Sequence, residues 1–272
     1  MRRGGPVLAV LAAFALALPA AADGLRRLTD RDDLLGWEAV GRLDLDGKGF
    51  CTGTLIAPDL VLTAAHCVYD RRTNALRPAD RIVFRAGLRD GVAIAERSGL
   101  QIAAHPGYNP ALPPNTDNIR HDVALVRLEQ PITSRDADPF AIHSGGNAGT
   151  EISVTSYGVG RAEALSRQRV CTLLGQRDEV MAFDCNVTFG SSGAPVFARV
   201  GGRGRILSLV SAGGNVNGRK VGFGMALPKR IAELKAQLRR DPVAAPDRRI
   251  IRLKPGTGRD NTGARFIRPG GG

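Results

Sequence analysis

Residues 60–67 read Leu60-Val61-Leu62-Thr63-Ala64-Ala65-His66-Cys67. A short branched apolar run leads through two alanines to a histidine beside a cysteine. Runs of this kind, bounded by turn residues, predict buried β-strands. Six more occur along the chain: Thr54-Leu55-Ile56, Ile82-Val83-Phe84, Val123-Ala124-Leu125-Val126, Ile152-Ser153-Val154-Thr155, Ala194-Pro195-Val196-Phe197 and Ile206-Leu207-Ser208-Leu209-Val210. Such a rhythm suits a β-barrel or sandwich. It pauses at Gln130-Pro131-Ile132-Thr133, which marks a seam between two halves. The 34 glycines and 16 prolines favour short strands and turns, and they exclude an all-α bundle. One helix is expected from Pro228, where Ile231, Leu234 and Leu238 make a single apolar stripe.

The ends of the chain differ from its body. Arg2 and Arg3, the apolar Val7–Leu18 and the small Ala20-Ala21-Ala22 predict a secretory signal over residues 1–22, hence a secreted or periplasmic protein. The apolar stretch is too short for about 30 Å of hydrocarbon, and nowhere do 18 uncharged apolar residues run together. Of the net charge of +12, the first 22 residues carry +2 and Pro228–Gly272 carries +8, which leaves +2 for Asp23–Leu227. The body is nearly neutral, so no nucleic-acid partner is expected. Residues 241–272 lack periodicity and are expected to form a disordered basic tail, with weak contact to anionic surfaces as its one functional reading.

Four cysteines, Cys51, Cys67, Cys171 and Cys185, allow three pairings that spacing alone leaves open. An oxidising compartment favours disulfides. Local context favours Cys51 with Cys67 and Cys171 with Cys185, each closing a loop worth about 3 kcal/mol. A zinc site is the rival reading, but no CxxC spacing or paired-histidine motif occurs, so no metal is expected.

Two further segments join residues 63–67: His121-Asp122-Val123-Ala124-Leu125 and Gly190-Ser191-Ser192-Gly193-Ala194-Pro195. A serine hydroxyl needs a neighbouring base to attack a carbonyl at neutral pH. His66 can accept the Ser192 proton, and Asp122 can fix the imidazole tautomer and stabilise its charged form. Gly190 and Gly193 let the backbone turn tightly, so that the amides of Gly190 and Ser192 can face a developing oxyanion. Taken singly, each segment has a plainer reading: a core histidine, a turn aspartate, a flexible loop. His105, His121 and His143 are read as structural or solvated, His121 because strand alternation would turn it away from Asp122.

In order and context, these segments resemble the histidine, aspartate and serine motifs of the chymotrypsin/trypsin-like serine proteases, from about Trp37 to the C-terminal helix. The resemblance implies an all-β fold of two packed antiparallel six-stranded barrels with a C-terminal helix. The first barrel would span residues 23–130, with His66 and Asp122, and the second 131–227, with Ser192. The helix would span 228–240. It further implies a monomeric endopeptidase acting on proteins or peptides through an acyl-enzyme, with no cofactor. Ser211-Ala212-Gly213 stands where the family has its substrate-binding strand, and the resemblance gives Ser211 a supporting contact with Asp122.

The sequence also departs from that pattern. Ser191 stands where most members carry an aspartate that pairs with a new N-terminal amine, and no Ile-Val-Gly-Gly start precedes Trp37. In this the chain resembles the bacterial secreted subgroup of V8-like glutamyl endopeptidases, and its oxyanion loop is expected to order without that ion pair. Counting back six from Ser192 puts Asn186 at the floor of the first substrate pocket, with Asp184 the alternative after a loop shift. Val210 replaces the histidine of glutamate-cleaving members. Gly213, Gly214, Gly222 and Gly224 would leave the walls open and Phe223 would fill part of the space, so a small or medium apolar residue is expected at the cleavage site. Two other classes fit the same sequence: a catalytically silent module that kept the barrels, and a lipid- or glycan-binding protein acting through its tail.

Overall fold

The computed structural model describes residues 24–200 and 202–243. The expected export signal and nearly all of the basic tail lie outside the described residues. After a two-residue strand β1 (Arg26–Arg27), six strands form a closed antiparallel barrel: β2 (Val40–Leu45), β3 (Phe50–Ala57), β4 (Leu60–Thr63), β5 (Ile82–Ala86), β6 (Ala95–Ala104) and β7 (Ala124–Leu128), in the order β2-β3-β4-β7-β6-β5. All four residues of β4 are buried, because β3 and β7 pair on either side of it and both its faces are covered. Two short helices interrupt the barrel, α1 (Ala65–Val68) and α2 (Thr116–His121).

The second half contains β8 (Glu151–Ser156), β9 (Ser166–Arg177), β10 (Val180–Phe183), β11 (Pro195–Val200), β12 (Arg203–Leu209), β13 (Ala212–Val216) and β14 (Arg219–Met225). They pair in the order β12-β11-β8-β9-β10-β14-β13, and β1 adds to β9. The two ends of this path are consecutive in the chain, separated only by Val210 and Ser211. There the strand changes partners: Val210 N donates to Ala194 O beside β11, and Ser211 N donates to Phe223 O on β14. With β1 set aside and β12–β13 taken as one bent strand, the expected six strands curl into a ring whose break lies at Ser211.

Both halves share a core. Trp37 stacks on Phe140 at 5.7 Å and meets Phe197 edge-on at 5.2 Å, joining the connecting segment to β11. Helix α3 (Pro228–Arg240) follows the second half but packs on β6 and β7 of the first. Its buried Ile231, Leu234 and Leu238 are the stripe the sequence predicts, and they belong to the same apolar cluster as Leu125 and Val126. Burial of three such side chains, at about 1.5–3 kcal/mol each, straps one half to the other. A second cluster, including Val154, Phe183, Val196 and Leu207, fills the β8–β14 ring.

Candidate active site

The two halves meet along a cleft of about 790 Å³ that His66, Ser192 and the strand Ser211–Gly213 all line. His66 sits in α1, one turn after β4, and Cys67 next to it is disulfide-bonded to Cys51 in β3. The pairing Cys171–Cys185 is also formed, and no cysteine is free among the described residues. Cys51, His66 and Cys67 bring ligand-type atoms within 4.8 Å of one another. Both sulfurs are in the disulfide, so no thiolate pair is there for a metal.

Asp122 caps the C-terminus of α2 and is 3% exposed. Its carboxylate is fully engaged: Oδ1 accepts from the His66 amide at 2.8 Å, Oδ2 lies 2.7 Å from His66 Nδ1, and Ser211 Oγ donates to Oδ2 at 2.6 Å. A carboxylate can only accept, so Nδ1 is the protonated nitrogen and Nε2 is left as a base. Ser211 can reach Asp122 because the second ring breaks at that residue. Burial, reinforced by the Asp122 charge, pushes the Tyr108 phenol upward, so a neutral ring lines this part of the cleft.

The loop that carries Ser192 is pinned residue by residue. Ser192 O accepts from Thr52 N at 2.9 Å, tying the loop to β3. The amides of Ser191, Gly193 and Ala194 donate to the carbonyls of Thr188, Val210 and Ser191. Those of Gly190 and Ser192 have no protein acceptor among the described residues. Phe189 O accepts from Val159 N at 2.8 Å, and in a trans peptide the following N–H points the opposite way. Gly190 N–H is thereby turned away from Val159. Gly190 has φ +89° and Gly193 has φ +76°, conformations that side chains rarely adopt. Two free amides on one tight turn beside a serine hydroxyl can bind an oxyanion.

Sequence reasoning passed over Thr52, whose buried hydroxyl accepts from Tyr157 N at 3.1 Å and donates to Gly190 O at 2.9 Å. Its one sequence cue is its place next to Cys51. His121 ends a helix rather than entering a strand, and stacks on His105 at 4.7 Å, with His105 Nε2 3.0 Å from Glu233. Neither histidine lines the cleft.

The substrate-pocket expectations need correction. Asn186 is exposed and does not line the cleft; its amide donates to Gln168 Oε1 at 2.7 Å, and Val187, Thr188 and Phe189 line the cleft instead. The gap-free count fails because the loop after Cys185 turns Asn186 outward. Asp184 is no substitute, since its Oδ1 accepts from Thr172 N at 2.5 Å on the exposed side. Gly222 and Gly224 do not open the walls. A Cβ there would stand 2.3 Å from the Phe183 ring and 2.0 Å from Leu209 O, so their missing side chains admit packing partners. Phe223 packs beside Gly214 and is not part of the cleft lining. Ala212 and Gly213 do line the cleft, with Val187 opposite Gly213.

The family model described as Trypsin matches residues 34–228. Among curated proteins, Vitamin K-dependent protein C of Rattus norvegicus is 33% identical over 129 residues, 45% of this chain and 26% of that protein. Modular serine protease of Drosophila melanogaster is 38% identical over 87 residues, 30% of this chain and 13% of that protein. The chain thus spans about a quarter or less of the length of these relatives. Among solved structures, a Glu endopeptidase in complex with MPD aligns with a TM-score of 0.66 at 17% identity, covering 81% of this chain and 99% of that one. The protease Anisep from Arthrobacter nicotinovorans aligns with a TM-score of 0.60 at 18% identity, covering 75% and 96%. At these identities the structural likeness speaks for the fold.

Proposed function

Because the chain belongs to the trypsin family of serine proteases, we propose that it is a secreted or periplasmic endopeptidase working through a Ser192–His66–Asp122 triad. Ser192 Oγ attacks the scissile carbonyl while His66 Nε2 takes its proton, and the carbonyl oxygen becomes an oxyanion between the amides of Gly190 and Ser192. The C–N bond then breaks as His66 returns the proton to the leaving amine, which leaves an ester on Ser192. Water, deprotonated by the same imidazole, hydrolyses that ester. Every group in the cycle is a protein group, so it calls for no metal or organic cofactor.

The observation that carries this reading is the triple engagement of Asp122, by His66 N, His66 Nδ1 and Ser211 Oγ, at the edge of a cleft that Ser192 also lines. A histidine merely filling a core would not need a buried carboxylate held by three donors. Two disulfides support an oxidising compartment. The division into a 23–130 half, a 131–227 half and a 228–240 helix, and a monomeric state, belong to the same proposal. Ser191 favours the bacterial secreted subgroup, an assignment that rests on that residue and not on the curated relatives, which are animal proteins.

Val187, Val210 and Val221 line the cleft, and among the described residues its one lining carboxylate, Asp122, is already engaged, which favours a small or medium apolar residue at the cleavage site. A peptide-library digest tests both parts. New peptide termini that appear with the wild-type chain and not with Ser192→Ala support the protease. Their complete absence supports a silent binding module instead, and cleavage dominated by Arg and Lys overturns the apolar pocket.

A further inference from the structure

Ser191, the residue before the nucleophile, is fully buried, as are Ser156 and Tyr157 at the end of β8. The side chain that reaches this site is Arg161. Its Nη1 donates to Ser156 O at 2.5 Å, and its Nη2 donates to Ser156 Oγ at 3.0 Å and Ser191 Oγ at 2.9 Å. No carboxylate pairs with this guanidinium among the described residues, and burial lowers its pKa to about 10. A half-buried cation held only by hydroxyls and a carbonyl, with no carboxylate, costs stability. Its retention calls for a local reason.

Room has been made for it. A Cβ at Gly158 would lie 2.7 Å from Arg161 Cζ, so a glycine lets the guanidinium fold back over its own turn, which Arg161 N closes onto Gly158 O at 2.9 Å. The Ser191 hydroxyl then has its bonding capacity filled: it accepts from Arg161 and from Thr188 N at 3.3 Å, and donates to Tyr157 O at 3.2 Å. The same segment, residues 157–161, supplies the Val159 amide that holds Phe189 O and so turns Gly190 N–H. Arg161 thus closes a cradle that touches the oxyanion turn at Phe189 and Ser191.

We propose that Arg161 is a positioning residue for the oxyanion hole, an internal cation that holds Ser191 and orders the Gly190–Ser192 amides, so that activity requires no particular N-terminal amine. This rests on the protease reading above. β1 runs antiparallel to β9, with Arg26 opposite Arg167 and Arg27 opposite Ser166, the residue that also pairs with Ser156.

Kinetics with a fluorogenic peptide chosen from the library digest, together with fluorophosphonate labelling rates, test the proposal. An oxyanion hole acts on the transition state, so its loss lowers kcat and leaves KM nearly alone. Arg161→Met is expected to lose ~10²-fold in kcat with KM changed less than about threefold, the scale of one missing oxyanion donor. Arg161→Lys is expected to recover at least about tenfold of that loss, because it keeps a charge and donors. A short peptide added ahead of a chain begun at Asp23 is expected to leave kcat within about twofold, because the proposal gives an N-terminal amine no part in the transition state. A folded Arg161→Met with kcat like wild type overturns the proposal, as does strict dependence on a free N-terminal amine. Should Arg161→Met fail to fold, Ser191→Ala decides: a clear loss in kcat at constant KM supports it, and an unchanged kcat overturns it. A wild-type chain that takes no label and cleaves nothing fails the protease reading itself, whereas labelling of wild type and Arg161→Met at equal rates fails only this inference.

Discussion

The backbone at Gly193 lies so close to Thr63 that a Cβ there would stand 2.2 Å from Thr63 Oγ1 and 2.4 Å from Thr52 O. The backbone of the residue after Ser192 therefore lies against the strand that leads into His66, packed on the Thr63 hydroxyl and the Thr52 carbonyl. Gly193→Ala must shift that contact and also adopt φ +76°. It is expected to lower kcat ~10²-fold or more, as a 1 Å misplacement can. Parallel measurement of thermal unfolding separates misplacement from unfolding, and a folded variant with wild-type kcat would sink this argument.

Ser211 holds Asp122 from the second half of the molecule. Removing its hydroxyl in Ser211→Ala deletes one hydrogen bond to a charged group, typically worth about 1.5–3 kcal/mol. The expected result is a fall in kcat/KM of roughly tenfold to a hundredfold, carried mainly by kcat. Asp122→Asn, which can offer the wrong imidazole tautomer, is expected to cost far more, ~10⁴-fold. Equal effects of the two substitutions would contradict the separate roles of support and tautomer control.

Acid should destabilise the fold through His105 and Glu233, neither of which lines the cleft. His105 is held below its ordinary value, first by burial, against the opposing hydrogen bond it donates to Glu233, while His121 and Arg230 add like charge. Glu233 is lowered chiefly by that same bond to His105. A group with a depressed folded pKa contributes stability that is present above its unfolded value and lost as pH falls. For His105 the loss begins near the ordinary value of 6.5, and for Glu233 it begins below 4.5. The melting temperature should fall as pH drops from 7 through 5, and His105→Phe should flatten that fall. A wild-type melting temperature constant over this range would refute the account.

Asp184 offers a sharp negative prediction. Its carboxylate faces Thr172 N and not the cleft. Asp184→Asn should leave the cleavage-site profile in a peptide library unchanged, at a small cost in stability. A changed preference for basic residues would return Asp184 to the substrate pocket.

The strands legible in the sequence are those whose faces are branched and apolar, such as Leu60–Thr63 and Ile206–Leu209. β6 (Ala95–Ala104) and β9 (Ser166–Arg177) escaped notice because polar and small residues interrupt their few branched apolar ones; what makes them strands is pairing with a neighbour on both sides. The candidate site residues His66, Asp122, Ser192 and Ser211 were legible because each sits in a short motif with a fixed offset. Asn186 misled because counting residues assumes a loop of constant path, and the path after Cys185 is set by Gln168, eighteen positions earlier. Arg161 carried no signal of its own and Thr52 only its place next to Cys51, since their roles arise from packing between segments far apart in the chain.

The central claim is a proton relay in which the Asp122-held imidazole makes one hydroxyl nucleophilic. The most direct measurement is mass-spectrometric mapping of the adduct left by a fluorophosphonate on the wild-type chain and on His66→Ala. The account predicts a single adduct, on the peptide carrying Ser192, and its loss or severe slowing in His66→Ala. An adduct on another residue, or labelling of Ser192 at the wild-type rate without His66, would contradict it.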